Sequence, residues 1–466
     1  MQTKKPLFII TLFLCLFFEL KGQITFERQY TMFSEAISVI QTSDSSYIMA
    51  CHTNTGLPNI AWCKINNMGV LLWIKYFIQP YYCYCEEMIS TSDGGYVIVG
   101  TTKLNYSALS KIIIIKLDSN ADIIWSRTLE GTLDKFAFSV TEASAGRYVI
   151  AGNHGINPYI AQLNNDGIVE WENTYSWQGT LFSIKNTFNS GLVSVGKKKE
   201  NYSNYFFIAQ FDSIGDTLWT QKFGYRSRNY DITDFCIIQS FDSNFVAVGS
   251  AYDYNTSNLL VIKVDTTGSV IWEKVYNGDY SGHYIQQDPD SNYIITGSID
   301  YISEINTGDI FLFKINPLGD SLWTRYYDGI GTSETSECVI NTNDGGYAIC
   351  GKQEYFLIHP EFWNWKYAYL IKTNEDGTLL GISEHESFTN KTDCQVYPNP
   401  AENKITVESE SIYDIDLISL NGQTLNRYVV EKNWIIIDMS EYENGMYFLK
   451  VTSESGVYMK KVIVNR

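Results

Sequence analysis

Seven times along the chain, about fifty residues apart, an Asx residue is followed three places later by Gly and seven places later by Trp. The Asx residues are Asn66, Asp118, Asn164, Asp212, Asp265, Asn316 and Asn374. Gly fills its place in six copies, with Ala121 the exception, and Trp fills its place in six, with Gly381 the exception. A repeat of this period decides the fold before any single element does. Asx bonds its own backbone and starts a turn, Gly supplies the positive φ that the turn needs, and Trp offers a large ring to the neighbouring unit. Two residues before each Asx stands Lys64, Lys116, Gln162, Gln210, Lys263, Lys314 or Lys372. Each is expected to lay its stem on apolar surface with its head in water.

A second turn recurs upstream. Asp44-Ser45-Ser46, Asp93-Gly94-Gly95, Asp242-Ser243-Asn244, Asp290-Ser291-Asn292 and Asp344-Gly345-Gly346 read as hairpin tips. The strand after the tip ends in Gly in six copies: Gly100, Gly152, Gly196, Gly249, Gly297 and Gly351. Each unit therefore reads as four strands, A to D. The B and C strands, such as residues 96–99 and 112–115, are unbroken apolar runs, which suits sheets covered on both faces. Seven such units predict an all-β chain with a seven-bladed β-propeller over residues 23–382. The seventh unit lacks a Trp strand of its own. Residues 24–30 are a spare one, with Phe26 in the place of Trp, so the first strand is expected to complete the last blade.

The Asx-x-x-Gly-x-x-x-Trp text resembles the tryptophan-docking repeat of quinoprotein-type β-propellers over about residues 24–382. That family usually carries Ala where this chain has Lys or Gln. The resemblance therefore implies the blade geometry and not the quinone, and no cofactor is expected. An acidic turn at Asp93 or Asp344 has too few ligands for Ca²⁺ and reads as a hairpin turn, so no metal is expected either.

After a polar linker, residues 383–393, the period stops. Residues 394–466 hold short strands between turns and predict a small Ig-like β-sandwich. The segment opens with Tyr397-Pro398-Asn399-Pro400 and has a turn at Asn421-Gly422-Gln423. Ile437-Asp438-Met439-Ser440 follows, then a strand with Gly445, Tyr447 and Leu449, then a basic final strand with Lys460 and Lys461. In that order the text closely resembles the type A C-terminal sorting domain of the type IX secretion system of Bacteroidota. The resemblance implies recognition by the type IX secretion machinery and its sortase and export across the outer membrane. It also implies release, or attachment to surface lipopolysaccharide.

The N-terminus fits that route. Residues 1–22 read as a secretory signal, with Lys4 and Lys5 ahead of an apolar run over residues 7–18 that is too short to span a bilayer comfortably. No later stretch is long and apolar enough, so no transmembrane segment is expected after signal cleavage. The net charge of −18 argues against nucleic acid and against anionic lipid. The cysteines lie mostly in strand-like text without CxxC pairs, and read as buried apolar residues or as a disulfide framework.

No HExxH, GxSxG or phosphate-loop text appears, and the five His residues are scattered. Function is expected on the end of the propeller that carries the long B–C and D–A connections. Its aromatic residues Tyr82, Tyr84, Tyr205, Tyr230, Tyr254, Tyr327, Trp363 and Trp365 are the candidates to hold a glycan or protein ligand. Three readings stand: a surface binding or adhesion module, a secreted glycan-active hydrolase or lyase using two loop carboxylates, and a structural envelope component.

Overall fold

The structure, a computed structural model, describes residues 23–466 apart from 55–58, 80, 106, 201–202, 228–234, 254–255, 300–307, 328–331, 356–364, 380–393, 400, 402, 410–411, 420–423, 431, 454–455 and 465. All regular structure among the described residues is strand. The chain divides into two compact units, Met1–Gly381 and Ile382–Arg466.

Among its described residues the first unit forms seven four-stranded antiparallel sheets. In the second sheet, Tyr82–Ser90, Tyr96–Lys103, Lys111–Leu117 and Ile123–Leu129 pair in that order, A to D. Six sheets are built this way from consecutive strands. The seventh takes Thr332–Asn341, Tyr347–Tyr355 and Trp365–Thr373, and its fourth strand is Phe26–Tyr30, with Phe26 opposite Lys372 and Tyr30 opposite Ala368. The other A strands are Phe33–Gln41, Lys135–Ser144, Gly179–Asn186, Cys236–Gln239 and Tyr280–Gln287. Each A strand touches those of the sheets before and after it, and the first touches the seventh. The A strands therefore line a central channel and the D strands lie outermost, which is the arrangement of a β-propeller.

Burial follows from this placing. In the second sheet the B and C strands are buried almost end to end, while the outer strand Ile123–Leu129 is largely open to solvent. Neighbouring sheets share apolar cores, and the one at the seam joins Phe26 and Tyr30 to Phe33, Tyr47 and Leu370.

The repeated turn does its work between sheets. Asn164 Oδ1 accepts the N–H groups of Asp166 at 3.0 Å and Ile168 at 2.9 Å, and Gly167 sits at φ +73°. Ala121 keeps the same turn at φ +59°. Each Gly receives the Trp of the sheet before it: a Cβ on Gly167 would lie 2.9 Å from the Trp125 ring. Trp125 and Trp272 also donate Nε1–H to the carbonyls of Asn165 and Pro317, at 2.8 and 3.1 Å. At the seam Phe26 takes this place against Gly69, and Tyr30 donates its hydroxyl to the Gly69 carbonyl at 2.9 Å.

The lysines before each Asx correct the sequence reading. They do not end in water. Lys116 is 1% exposed, with its ammonium 2.9 Å from Asp93 at the A–B tip of the same sheet. Lys64–Asp44, Lys263–Asp242 and Lys372–Asp344 repeat the pair at 2.7, 2.6 and 3.0 Å, while Lys314 pairs at 2.7 Å with Asp288, two places before the tip residue Asp290. Ammonium groups therefore already counter the tip carboxylates of Asp93 and Asp344. In the third and fourth sheets, where the tip has no Asp, the residue before the Asx is the neutral Gln. Gln162 donates to Glu170 at 2.8 Å, and Gln210 accepts from Trp219 Nε1 at 2.7 Å.

The second unit holds two antiparallel sheets. One pairs Cys394–Tyr397, Lys404–Ser409 and Trp434–Asp438; the other pairs Thr424–Val429, Ile412–Ser419, Gly445–Ser453 and Gly456–Val464. Ile405, Val407 and Ile437 of the first share one core with Ile415, Leu417 and Leu449 of the second.

Candidate functional site

Six of the seven A strands carry an extra residue at the same level: Ile37, Glu86, Phe138, Phe182, His283 and Glu337. A bulge takes one residue out of the ladder and re-aims its side chain. It also accounts for the B-strand glycine in five of these sheets, which lies within the strand and not at its end as the sequence suggested, as Gly100 does in Tyr96–Lys103. A Cβ on Gly100, Gly152, Gly196, Gly297 or Gly351 would land on the carbonyl oxygen of Tyr84, Phe136, Thr180, Ser281 or Thr335, two places before the bulged residue.

The residue after the bulge ties each sheet to the next. Ser38 Oγ accepts the Met88 N–H at 3.0 Å, Glu87 accepts that of Val140 at 2.8 Å, Ser139 that of Ile184 at 3.1 Å and Ser183 that of Ile237 at 3.4 Å. These are main-chain donors on the innermost strand, which has no further strand to pair with. Glu87 does more. Its other oxygen holds Lys185 of the fourth sheet at 2.8 Å, past the third sheet, whose Ser139 donates its hydroxyl to Glu87 at 2.6 Å. This ion pair lies across the channel and forms a floor.

The bulged residues lie one place nearer the end where the D–A and B–C connections run, and so line the mouth above that floor. On the third to fifth sheets the wall is aromatic: Phe138 and Phe182 have ring centroids 5.2 Å apart, and Phe182 and Phe235 5.3 Å apart. On the seventh, first and second sheets it is ionic. Glu35 pairs with His52 at 3.3 Å and with Lys352 at 3.0 Å. His52 Nε2 meets the main chain of Cys85 at 2.9 Å, and its ring meets Tyr84 edge-on at 5.7 Å.

Two carboxyls here are pushed apart. Burial raises that of Glu35, but the hydrogen bond from His52 and the charge of Lys352 outweigh it and hold the group at about 2. Burial raises that of Glu86, His52 opposes the rise, and the Glu35 charge adds to it, so Glu86 is pushed up to about 7. The mouth thus combines a permanent carboxylate, held by its own cations, with a carboxyl that titrates near neutrality. Among the described residues no group of three or more His, Cys, Asp or Glu is placed to hold a metal ion.

Of the aromatic residues expected at this end, Tyr82 and Tyr84 lie in the A strand Tyr82–Ser90, at the mouth. Tyr205 lies in Ser203–Phe211 with the Lys222 ammonium 4.4 Å from its ring centroid. Tyr327 is no loop residue. It ends the D strand Ser321–Tyr327, is 7% exposed, and donates its hydroxyl to the Gly377 carbonyl at 2.8 Å, repeating Tyr30 at Gly69. Trp365 opens the strand Trp365–Thr373. Tyr230, Tyr254 and Trp363 lie outside the described residues. Among the described residues the expected aromatics are therefore not gathered into one site. Glu35, His52, Glu86 and Lys352 escaped the sequence reading, although one signal was present. The bulge position, read as Ile37, Glu86, Phe138, Phe182, His283 and Glu337, precedes an apolar position filled by Val39, Met88, Val140, Ile184, Ile285 and Val339. A separate cleft of about 250 Å³ lies between Tyr276, Tyr280, Phe311 and Phe313, with no ionised group in its lining.

In the second unit the residues of the sorting text hold its framework. Tyr397 donates its hydroxyl to Glu408 at 3.0 Å, and Asn399, next to Pro398, accepts the Ile463 N–H at 2.9 Å. Asp438 accepts the N–H and hydroxyl of Ser440 at 2.9 and 2.6 Å, and Tyr447 donates to the Glu443 carbonyl at 2.9 Å. Gly445 pairs with Val464, Lys460 with Leu449 and Lys461 with Phe448. Pro400 and Gly422 lie outside the described residues.

Residues 395–465 match the family described as secretion system C-terminal sorting domain. That domain indicates export by type IX secretion, to the cell surface or the extracellular space. Comparison with curated proteins finds no match. Among solved structures, the chain is similar to the Pan2 WD40 domain of Neurospora crassa, at 10% identity over 72% of this chain and 88% of that one, with a TM-score of 0.46. It is also similar to YCF48 bound to D1 peptide, at 7% over 76% and 96%, with a TM-score of 0.46. A protein of unknown function from Dyadobacter fermentans is similar at 8% over 75% and 98%, with a TM-score of 0.45. The fold is read from the chain's own strand pairing and not from these scores. Among the described residues no helix is long and apolar enough to cross a membrane.

Proposed function

We propose that this chain is an exported binding module: a closed propeller of seven blades over residues 23–382 that holds a ligand at its channel mouth, carried by an Ig-like sorting domain over residues 394–466. The observation that carries the binding role is the mouth itself, with an aromatic wall and an ionic one above the Glu87–Lys185 pair. The signal over residues 1–22 brings the chain to the periplasm, and the machinery and sortase of type IX secretion act on the tail, leaving the propeller free or on surface lipopolysaccharide. The docking of each Trp on the next Gly agrees with kinship to quinoprotein-type propellers in blade stacking, without their cofactor.

Two measurements test this reading. In a bacterium with type IX secretion, the chain cut after residue 390 is expected to stop in the periplasm, and residues 391–466 fused to another periplasmic protein are expected to carry it outward. The exported chain is expected to retain ligands from glycan and peptide arrays, and Phe182→Ala is expected to lose them. Export of the truncated chain contradicts the address, and unchanged retention by Phe182→Ala contradicts the site.

A second reading has one observation in its favour. Carboxyls driven apart in one site are the usual arrangement for acid and base chemistry on glycosides, and Glu86 and Glu35 are so driven. Release of reducing ends from polysaccharide, lost in Glu86→Gln with no loss of melting temperature, would favour a hydrolase over a binding module.

A further inference from the structure

Three carboxylates on the first two A strands reach the channel, and two have cations of their own. Glu35 is held by His52 and Lys352 at 3.3 and 3.0 Å, and Glu87 by Lys185 at 2.8 Å. Glu86 sits between them in sequence and in space. It is the bulged residue of its strand, so it is out of the ladder, and among the described residues no ion pair or hydrogen bond is made to it. The charged groups that face it are His52 and Glu35 of the first sheet, already committed to each other. Glu87, on its own strand, is committed to Lys185, and Lys352, from the seventh sheet, to Glu35. Glu86 is half-buried, and a carboxyl so placed without a cation of its own is costly as an anion, a cost that a ligand supplying a cation removes.

The rest of the mouth suits the stem that carries such a cation. The half-buried rings of Phe138 and Phe182 form a wall backed by the buried Phe235, and one ammonium, that of Lys197, already lies 5.5 Å from the Phe182 ring centroid. Aromatic faces accept both alkyl chains and cations. The net charge of −18 draws cations toward the molecule from a distance.

We propose that the channel mouth receives a basic side chain of an extended peptide, lysine or arginine, with Glu86 as its counter-ion and the Phe138–Phe182–Phe235 wall along its stem. This rests on the mouth being the ligand site and adds the class of ligand.

Titration calorimetry on the full chain tests it, with tetralysine and a neutral cellotetraose as the two probes at pH 6 and pH 8. Tetralysine is expected to bind about tenfold more tightly at pH 8, the change in ionised fraction of a carboxyl that titrates at about 7. Binding is expected to release protons to the buffer and to weaken with added salt. Glu86→Gln is expected to abolish the pH dependence and most of the affinity. Asp122→Asn removes an equally negative charge from a C–D turn at the other end and is expected to change neither. Phe182→Leu, which keeps an apolar side chain, is expected to weaken tetralysine without altering its pH dependence, so the test does not hang on the folding of one variant. Equal affinity at both pH values, or binding that survives Glu86→Gln, overturns the counter-ion role. Cellotetraose bound more tightly at pH 6, with proton uptake, overturns the peptide in favour of a glycan while leaving the mouth as the site. Binding of neither probe, with array ligands still retained, overturns the ligand class. Binding of neither with no array ligand retained overturns the site itself.

Discussion

Lys116 and Asp93 show how much one repeated position can hold. The ammonium is fully enclosed while the carboxylate is half open, so the pair keeps its geometry without carrying a fully buried charge. The fourth sheet carries a neutral version, with Asn189 at the tip and Gln210 below it. Lys116→Ala is expected to lower the unfolding free energy by about 1–3 kcal/mol, the range for a hydrogen bond to a charged group left unmade. The double change Asp93→Asn with Lys116→Gln is expected to cost clearly less, and denaturant unfolding of the three proteins checks both statements. Acid should tell them apart too. Burial raises the Asp93 carboxyl, but the bonds from Thr91 and Lys116 hold it at about 2, below its ordinary value. Its contribution is therefore complete above the ordinary carboxylate range and is lost as the pH falls toward 2. Glu86 has the opposite sign. Its carboxyl is raised to about 7, so the folded chain holds a proton that the unfolded chain has released, and stability falls as the pH rises from the ordinary carboxylate range to about 7. Glu86→Gln is expected to be more stable than the parent at pH 8 and no more stable at pH 4, as measured by melting temperature.

At the scale of the strand, the bulge organises the inner end of six of the seven sheets. It turns one side chain toward the channel and places the preceding carbonyl where a B-strand Cβ would be. Gly152→Ala is expected to cost at least about 2 kcal/mol, because main chain and not a flexible side chain must move. Gly445→Ala, where a Cβ would meet nothing within 4 Å, is expected to be close to neutral, and thermal unfolding of each variant decides. The two kinds of position explain what the sequence disclosed. The Asx–Gly–Trp turns were legible because turn chemistry is local and Trp docks on the very Gly that makes the turn. The six B-strand glycines were legible as a pattern, but for five of them the cause lies in a partner strand that a linear text does not set beside them, and for Gly249 in the rings of Phe206 and Phe235. The Lys–Asp pairs were visible only as a correlation between copies: Lys where the tip has Asp, Gln where it does not. The ionic side of the mouth was hidden because Glu35, His52, Glu86 and Lys352 come from three sheets and are adjacent only in the closed ring. Tyr327 misled because a D strand that ends in Tyr, with its hydroxyl turned inward, reads like a loop aromatic.

At the scale of the molecule, one chain end serves as structure and the other as address. The first unit spans the ring, and its seam is made by the strand Phe26–Tyr30 against Trp365–Thr373, by Phe26 on Gly69, and by the shared core of the first and seventh sheets. Gln41 adds a tie across the seam by accepting the Asn343 N–H at 2.7 Å. The site depends on this closure, since Glu35 and His52 of the first sheet meet Lys352 of the seventh across it. Everything proposed for the mouth therefore assumes a ring locked by its own N-terminus. The most direct test compares the unfolding of residues 23–390 with that of residues 31–390. Loss of the strand is expected to lower the melting temperature by roughly ten degrees or more, and to abolish a single cooperative transition, because an open seventh sheet bares both an edge and an apolar face. A shortened protein that melts at the same temperature in one transition would mean that the strand is an ornament, and that the ring is held by something else.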